Sequence, residues 1–488
     1  VSHLTRTDFA IKTTIDPFSL LTRLTMRPDC ETHVDYSQKL THPFETLRLS
    51  PEPMLVIYDV LGHFPSPRDH LSLDLRRQFT LRSKNGFLYS KKNDVVLVAA
   101  DFDPAHQTWL QRSGFAFGEA LRVPAPEDST AESYFEAFLK SALDKGILGK
   151  KLSTLGIQKI FSWMNSPNEM RLADELGLST AWNAIPDVVR SQFNKQTFKQ
   201  RLELLHLPTL KGFLTTVDRT SRIPLITKAR FEKLCLSLAN NSRLIARPTE
   251  AAAGSGIFCF STDQIDSAWS TITGAEPTDW LIEPFIDDCR SVNLQLLIRG
   301  PGTIDYLGLS EQRLNRFMYS GNEGLSSDST TADSAITECL RQGEVIARDI
   351  AAQSYTGLIG LDFIITPKRE VFAIENNIRI NGSTFSLALV AQLENSVKHE
   401  LAWSYEKFTL PQSVPFERVV STFGSLLLEI RQPLNDGFFI QEYSRTQKNT
   451  ELATTLVARN RDGLEALRSE IKKRIGLFNE RIDTNDSN

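Results

Sequence analysis

The first third of the chain alternates short apolar runs with amphipathic stretches of helical spacing. Runs rich in β-branched residues predict strands of a buried parallel sheet at 54–58, 94–100 and 159–163. The stretches 129–143 and 166–176 repeat apolar residues at the helical interval. Ser129 and Glu132 have the spacing of a capping box, which predicts a helix start there. This order of elements predicts an α/β domain over 51–190.

The rest of the chain divides into three further segments. Residues 1–50 are rich in Thr, Ser and charged side chains without sustained periodicity, which predicts a loosely structured lead-in. Strand patterns are densest over 191–400. The last segment, 401–488, adds an apolar strand over 425–430 and a charged helix around 463–474.

Two apolar runs separated by a polar, proline-containing stretch predict a β-hairpin over 360–375. If two residues form its tip, Phe363 faces Ile374 and Asp362 faces Glu375 across the strands. Like charges at paired positions are destabilising unless something neutralises them. Bound cations would neutralise these two carboxylates.

The second strand of this hairpin continues into an alternating polar sequence. Because side chains alternate along a strand, Glu375, Asn377, Arg379 and Asn381 share one face, and isoleucines take the other. Oxygen ligands of this kind suit Mg²⁺, and the guanidinium of Arg379 is suited to a phosphoryl group. The alternative is a solvated polar face on which the two carboxylates pair with basic neighbours.

Composition and charge narrow the range of partners. The chain is 41% hydrophobic and 23% charged with a formal net charge of -4, so it lacks the basic excess of a nucleic-acid-binding protein. Its five cysteines include no CxxC pair, which argues against a disulfide framework and a thiolate zinc site. No apolar run is long enough to span a membrane, and the opening residues lack the order of a secretory signal. These features predict a cytoplasmic protein with small-molecule substrates.

Asp362 followed thirteen residues later by Glu375-x-Asn377-x-Arg379 resembles the metal-binding signature of the ATP-grasp superfamily. The resemblance implies an α+β fold in which two α/β lobes grip ATP. It further implies that Asp362, Glu375 and Asn377 bind two Mg²⁺ ions, with Mn²⁺ as the alternative metal, which bridge the ATP phosphates. Arg379 would contact the transferred phosphate or the acyl-phosphate.

Other matches to the superfamily lie earlier in the chain. Lys195 corresponds to a lysine that contacts ATP from the start of a helix. The strand 244–248 and a small-residue loop containing Gly254, Ser255 and Gly256 resemble the loop that covers the phosphates. Arg247 stands where most members carry Lys. Viewed alone, a surface lysine and a tight turn would explain these residues as well.

A third match resembles the hinge between the lobes. In the family the backbone near the positions of Glu283 and Ile286 pairs with the adenine edge, and a side chain at the position of Phe285 packs nearby. The alternative is an edge strand that contains a proline. Asn381, Gly382 and Ser383, just beyond the metal strand, are predicted to line the acceptor site.

The resemblance also implies a reaction and a domain order. The helical stretch 170–178 followed by Asn194-Lys195 resembles the domain before the ATP-grasp fold in peptide ligases of the pheganomycin type. An ATP-grasp domain over 191–400 and a small C-terminal α/β extension over 401–488 would follow. A small carboxylic acid or amino acid would be activated as an acyl-phosphate and joined to an amine or peptide nucleophile, with release of ADP and phosphate.

Two alternatives to this carboxylate–amine ligase stay open. One is an ATP-grasp carboxylase or non-amine ligase, although no biotin-carrier lysine motif is visible. The other is a catalytically silent nucleotide-binding protein used for regulation or scaffolding, against which the intact metal signature argues. A homo-oligomer is compatible with either.

Overall fold

The computed structural model describes residues within 47–480, all of which belong to one compact unit, Lys39–Asn488. The gaps in this range are 65–70, 100–101, 114, 116, 125–131, 219–220, 222, 240–242, 252–253, 276–278, 327–331, 429–435 and 447. The predicted lead-in over 1–50 therefore lies almost wholly outside the described residues. Within them, none of the helices is both long and apolar enough to cross a membrane.

A parallel five-stranded sheet organises the first part of the described chain. Its strands are β1 (Met54–Ile57), β2 (Val95–Val98), β3 (Glu119–Arg122), β4 (Lys159–Ser162) and β5 (Ser179–Thr180). They lie in the order β3-β2-β1-β4-β5, and β1, β2 and β4 are almost completely buried. The predicted buried parallel strands are confirmed, because apolar residues without alternation suit strands that are covered on both faces.

Helices connect the strands of this sheet. They are α1 (Leu73–Leu81), α2 (Pro104–Arg112), α3 (Tyr134–Lys140), α4 (Ala142–Leu155) and α5 (Pro167–Leu176), with 3-10 segments at Leu61–His63 and Arg82–Tyr89. The capping box that starts α3 is formed by Ser133 and Glu136, whereas the predicted Ser129 lies outside the described residues. A second serine, Ser141, ends α3 and caps α4, so the single helix predicted over this stretch is two helices.

The middle of the chain forms a four-stranded antiparallel sheet in the order β6-β9-β7-β8. Its strands are β6 (Phe213–Thr216), β7 (Leu244–Pro248), β8 (Phe258–Phe260) and β9 (Asp279–Pro284). The helices of this part are α6 (Pro186–Phe193), α7 (Lys195–Leu204), α8 (Lys228–Ala239) and α9 (Ile265–Gly274). A separate core that includes Phe231, Trp280 and Ile282 packs α8 and α9 against this sheet.

An eight-stranded antiparallel sheet carries the remaining strands, in the order β14-β13-β10-β11-β12-β15-β17-β16. The strands are β10 (Arg290–Gly300), β11 (Thr303–Asn315), β12 (Met318–Gly324), β13 (Gly357–Ile365), β14 (Val371–Asn377), β15 (Ala402–Leu410), β16 (Gly437–Arg445) and β17 (Thr450–Ala458). The helices are α10 (Ser334–Ala352), α11 (Thr384–Val397), α12 (Phe416–Phe423) and α13 (Arg461–Glu480). The segment 401–488 thus continues the same sheet through the pairing of β12 with β15.

Two predictions for the last segment have different outcomes. The charged helix is confirmed as α13 and is longer than expected. The strand predicted over 425–430 is wrong where the chain is described, because Gly424–Leu426 is a 3-10 turn and Leu427 makes only an isolated bridge to Phe438. An apolar run alone does not distinguish a strand from a turn or a short helical segment.

The predicted hairpin is formed by β13 and β14, but its tip differs from the expectation. The Thr366 N–H donates to the Glu370 carbonyl at 2.9 Å, and the Arg369 N–H donates to the Thr366 carbonyl at 2.8 Å. Arg369 has a φ of 65°, so the loop has three residues and ends in a left-handed residue. The predicted pairing of Phe363 with Ile374 is therefore wrong near the tip.

A β-bulge restores the pairing that matters for the carboxylates. Phe363 pairs with Ala373, whereas Asp362 pairs with Glu375, so Ile374 is the extra residue on β14. The predicted cross-strand pair of Asp362 and Glu375 is confirmed. The expected register assumed a two-residue tip and no bulge. The longer tip and the bulge shift the pairing by one residue in opposite directions, so the two shifts cancel at Asp362 and Glu375.

Candidate active site

A cavity of about 820 Å³ lies between the four-stranded sheet and the eight-stranded sheet, and residues of the first sheet domain also line it. It is lined by the predicted site residues Arg247, Gly254, Ser255, Glu283, Phe285, Ile286, Asp362, Glu375, Asn377, Arg379, Asn381, Gly382 and Ser383. Lys195 and Gly256 do not line it, although both adjoin residues that do. The sequence-predicted residues are therefore brought together in one place, and their individual roles stay predictions.

Asp362, on β13, is held by amide side chains. Its Oδ1 accepts from Asn293 Nδ2 at 2.6 Å and from Gln312 Nε2 at 3.0 Å, and its Oδ2 accepts from Asn377 Nδ2 at 2.9 Å. Burial and the neighbouring charge of Glu375 raise the pKa of Asp362 to about 7. A cation at this pair would relieve both effects and stabilise the ionised carboxylate.

Lys195 reaches Glu375 from the first residue of α7. Its Nζ lies 3.2 Å from Glu375 Oε1 and donates to the Ala251 carbonyl at 2.9 Å. The side chain is only 2% exposed, so the alternative of a solvated surface lysine is wrong. Burial lowers the pKa of Lys195, and the charge of Glu375 opposes that effect. Asn194 fixes the start of the helix by accepting from the backbone N–H groups that follow it.

Arg379 is placed by a turn rather than by the strand. β14 ends at Asn377, and the Arg379 N–H donates to the Asn377 carbonyl at 2.9 Å. The guanidinium lies 4.9 Å from the ring centre of Trp163, and Nη2 donates to Asn377 Oδ1 at 2.6 Å. Its Nε is buried and has no hydrogen-bond partner among the described residues. A buried donor without a partner is costly, and a ligand oxygen would satisfy it.

The donor set fits magnesium. Asp362, Glu375 and Asn377 supply two carboxylates and one amide oxygen, and Mg²⁺ in proteins commonly takes one or two carboxylates together with substrate phosphates. Within the described residues, no cluster of three or more His, Cys, Asp or Glu side chains is placed to hold a metal. Asp362, Glu375 and Asn377 suit a metal whose remaining ligands are water or substrate phosphate.

Arg247 joins the two lobes at the other end of the site. From β7, its Nη1 donates to the carbonyl of Ile374, the bulge residue, at 3.1 Å, and its Nη2 pairs with Glu283. Glu283 also pairs with Lys199 Nζ at 2.9 Å. Burial opposes ionisation, but Arg247 and Lys199 hold the pKa of Glu283 below its usual range. The predicted hinge residue Glu283 is thus already engaged by two cations.

The glycine loop approaches the β11–β12 hairpin closely. Gly254 has a φ of 80°, and a Cβ there would lie 1.9 Å from the Phe317 carbonyl oxygen. Phe317 in turn packs edge-on against Phe285 at 5.9 Å. The backbone of the loop therefore requires glycine at position 254. The preceding residues 252–253 lie outside the described part of the chain.

The predicted acceptor residues lie immediately before α11. Ser383 Oγ accepts from Gln295 Nε2 at 2.7 Å, and Asn381 Nδ2 donates to the Arg379 carbonyl at 2.7 Å. Tyr319 covers Gly382, because a Cβ at that glycine would lie 2.8 Å from the phenol oxygen. Asn381 and Ser383 thus stabilise the turn that presents Arg379.

Sequence reasoning missed one whole wall of the cavity. It comes from the first sheet domain and from the last strands of the eight-stranded sheet, and includes Tyr58, Arg82, Trp163, Tyr405 and Lys407. The only available signal was that Tyr58 and Trp163 directly follow parallel strands, where ligands commonly bind. The remaining residues lie in no motif.

Several solved structures resemble this chain, although no family model matches it. Campylobacter jejuni biotin carboxylase in an ATP-analogue complex has a TM-score of 0.52 and 14% identity, covering 85% of this chain and 90% of that one. N5-carboxyaminoimidazole ribonucleotide synthetase (purK) in its ADP complex has a TM-score of 0.51 and 10% identity, covering 87% and 96%.

A third similar structure extends the comparison. Carboxyaminoimidazole ribonucleotide synthase from Aspergillus clavatus, complexed with ATP, has a TM-score of 0.50 and 14% identity, covering 88% of this chain and 99% of that one. Such structures are ATP-grasp enzymes. The likeness over most of both chains shows that this chain has the ATP-grasp fold, which confirms the predicted α+β class.

Proposed function

We propose that the protein is an ATP- and Mg²⁺-dependent ligase that joins a carboxylic acid to an amine through an acyl-phosphate. One observation carries the proposal: the paired carboxylates Asp362 and Glu375 face a cavity that also receives Asn377 and Arg379. Lys195 lies behind Glu375 at 3.2 Å. This combination of hard oxygen ligands and buried cations suits phosphoryl transfer, which depends mainly on positioning and charge neutralisation.

Asp362, Glu375 and Asn377 would hold the metal. When bound, Mg²⁺ neutralises charge on the ATP phosphates and orients them. The amide groups around Asp362 fix the direction of its free lone pairs, and Lys195 prevents Glu375 from repelling the phosphates. The similar biotin carboxylase and purK structures contain an ATP analogue and ADP, which supports a nucleotide in this cavity.

The reaction would proceed in two displacements. A substrate carboxylate oxygen attacks the γ-phosphorus and ADP leaves, with the unpaired Nε of Arg379 donating to the transferred group. The amine then attacks the acyl carbon, phosphate leaves, and the nitrogen loses a proton to solvent or phosphate. Closure of the glycine loop over the cavity would limit hydrolysis of the acyl-phosphate by water.

Incubation with ATP, Mg²⁺ and a panel of acid and amine pairs tests the proposal. We expect ADP and phosphate release only with particular pairs, together with an amide product detected by mass spectrometry. Glu375→Gln should lower the rate at least 100-fold. The matched control Glu370→Gln changes an exposed carboxylate at the tip of the same hairpin and should leave the rate unchanged.

Other outcomes identify other functions. Release of AMP and pyrophosphate would contradict an acyl-phosphate. ADP release that requires bicarbonate and an amine, without another acid, would favour the carboxylase alternative, which the likeness to biotin carboxylase supports. Nucleotide binding without any ADP release would favour a regulatory protein.

A further inference from the structure

Two cations on the missed cavity wall, Arg82 and Lys407, form no ion pair with any described residue. Arg82 begins the 3-10 segment Arg82–Tyr89, Lys407 lies on β15, and both line the cavity. Within the part of the chain that the structure describes, neither side chain has an ion pair within 4 Å or a hydrogen bond. The Arg82 guanidinium lies over the ring of Phe79, 5.4 Å from its centre.

The charges around these cations do not neutralise them. Glu442, on β16, is the carboxylate that faces this wall, and its Oε1 already accepts from Asn85 Nδ2 at 2.7 Å. Burial lowers the pKa of Lys407, and the charge of Arg82 adds to the effect, whereas Glu442 and Glu451 oppose it. A third cation, Lys84, also acts on Glu442 and is buried against the Tyr443 carbonyl at 2.6 Å. Glu442, Glu451 and Asp103 therefore act on these cations through space, and among the described residues neither Arg82 nor Lys407 forms an ion pair with any of them.

Aromatic rings connect this wall to the reaction centre. The guanidinium of Arg379 lies 4.9 Å from the ring of Trp163, whose centre is 6.1 Å from that of Tyr58. Tyr58 stacks on Tyr89 at 6.0 Å, and its phenol senses the charges of both Arg82 and Arg379. One substrate bound along these rings can therefore reach Arg379 and the unpaired cations together.

We propose that Arg82 and Lys407 bind an anionic group, a carboxylate or a phosphate, on the amine substrate, so that this substrate is an anionic amine rather than a neutral one. The proposal rests on the proposed function, because it assigns the anion to the nucleophile of that reaction. Arg82 is half-buried and Lys407 is exposed, so both can meet a ligand in the cavity. An anion placed between two cations that have no ion pair among the described residues gains charge-assisted hydrogen bonds to both. The reactive nitrogen would then lie toward Arg379.

Calorimetry with matched pairs of small-molecule probes tests whether the site prefers an anionic ligand. Binding is measured with MgADP present and absent. L-Alanine is compared with L-alaninamide, and phosphoethanolamine with ethanolamine. We expect the anionic member of one pair to bind at least tenfold more tightly than its counterpart. Preference within the first pair identifies a carboxylate, and preference within the second identifies a phosphate.

Variants of Arg82 and Lys407 test whether these two side chains cause the preference for the anionic probe. Arg82→Gln and Lys407→Gln should each lower it at least fivefold, while Arg82→Lys should retain part of it. Lys233→Gln removes an exposed lysine of α8 outside the cavity and should change nothing. Lys407→Gln tests the proposal even if loss of the Arg82 contact with Phe79 destabilises the fold.

The two proposals can fail separately. Equal binding of both members in each pair, or an unchanged preference in Arg82→Gln and Lys407→Gln, would overturn the anion site. Glu375→Gln should lose ADP release but keep the anionic preference. A preference that depends on Arg82 and Lys407 in a protein that never releases ADP would leave the anion site standing and overturn the proposed ligase.

Discussion

Buried ionisable groups outside the cavity show how strongly position controls charge at the scale of single residues. Glu169, the third residue of α5, accepts the Ser166 N–H at 2.8 Å and lies 3.7 Å from His63 Nε2. It is only 1% exposed. Burial and the nearby Asp59 raise the pKa of Glu169 to about 8, against the opposing hydrogen bonds from Ser166. This carboxyl therefore carries its proton through most of the neutral range.

Because of Glu169, the free energy of unfolding should fall as the pH rises. Below its usual value of 4.5 the carboxyl is protonated in both the folded and unfolded states, and above it only the unfolded state ionises. The contribution of Glu169 is therefore fully present at low pH and is lost progressively up to about pH 8. The difference over this range is on the order of 3–5 kcal/mol as an upper limit.

Glu169→Gln provides the measurement. Glutamine is neutral at every pH and keeps a carbonyl oxygen for the Ser166 N–H, so the variant should gain stability relative to the parent as pH rises from 5 to 8. Urea unfolding of both proteins is measured across this range, and the difference between them at each pH cancels the contributions of other titrating groups. Parallel stability curves would show that Glu169 ionises normally in the folded protein.

At the scale of secondary-structure elements, the site depends on the contact between the glycine loop after β7 and the β11–β12 hairpin. The glycine loop after β7 contacts Phe317 at the β11–β12 turn, and Phe317 packs on Phe285 after β9. Arg247 connects the same β7 to the bulge of β14. The end of the cavity at Glu283 and Phe285 is thus linked to the end at Asp362 and Glu375 through the loop and the bulge.

Gly254→Ala should impair the contact between the glycine loop and the hairpin without destabilising the fold. The φ of 80° and the 1.9 Å approach of a Cβ to the Phe317 carbonyl both oppose alanine, so the loop must move away from the hairpin. We expect at least tenfold weaker binding of MgADP by calorimetry, with little change in melting temperature, because the loop contributes few buried apolar contacts.

Gly146→Ala is the matched control. Gly146 lies inside α4, and nothing stands within 4 Å of a Cβ at that position. Alanine there should stabilise the helix by about 0.5–1 kcal/mol and leave nucleotide binding unchanged. Normal MgADP affinity in Gly254→Ala would show that the loop does not close over the nucleotide.

At the scale of the whole molecule, the last segment is part of the eight-stranded sheet that lines the cavity. β15 pairs with β12, and Arg468 of α13 lies over this junction. Its Nε donates to Glu406 Oε1 at 2.6 Å, and its Nη2 lies 3.4 Å from Glu323 Oε2. Arg313 of β11 pairs with the same two carboxylates. These charges tie the C-terminal helix to the hairpin that closes over the loop.

Arg468→Met should destabilise the whole molecule by about 1.5–3 kcal/mol, because it removes hydrogen bonds to buried carboxylates while keeping apolar length. Urea unfolding measures the loss. The control Glu465→Gln removes only the outer partner of Arg468, whose side chain is 55% exposed, and should cost less than about 1 kcal/mol. An equal effect of both variants would contradict a role for the junction.

Several features of the fold and site could be predicted because their cause is local. The parallel strands followed from uninterrupted β-branched runs, and α5 followed from the helical spacing of apolar residues over 166–176. Asp362 and Glu375 were expected to face each other because a hairpin pairs nearby residues. That pairing was correct only because the three-residue tip and the bulge at Ile374 compensated each other.

The sequence by itself determined the hairpin and the facing carboxylates Asp362 and Glu375, because hairpins, caps and strand faces depend on neighbours a few positions apart. Only the tertiary structure decided that Arg82 and Lys407, far apart in sequence, share a wall with Arg379. It also decided that the last segment joins the eight-stranded sheet. Long-range strand pairing depends on how all the elements pack together, and the local order of residues does not specify it.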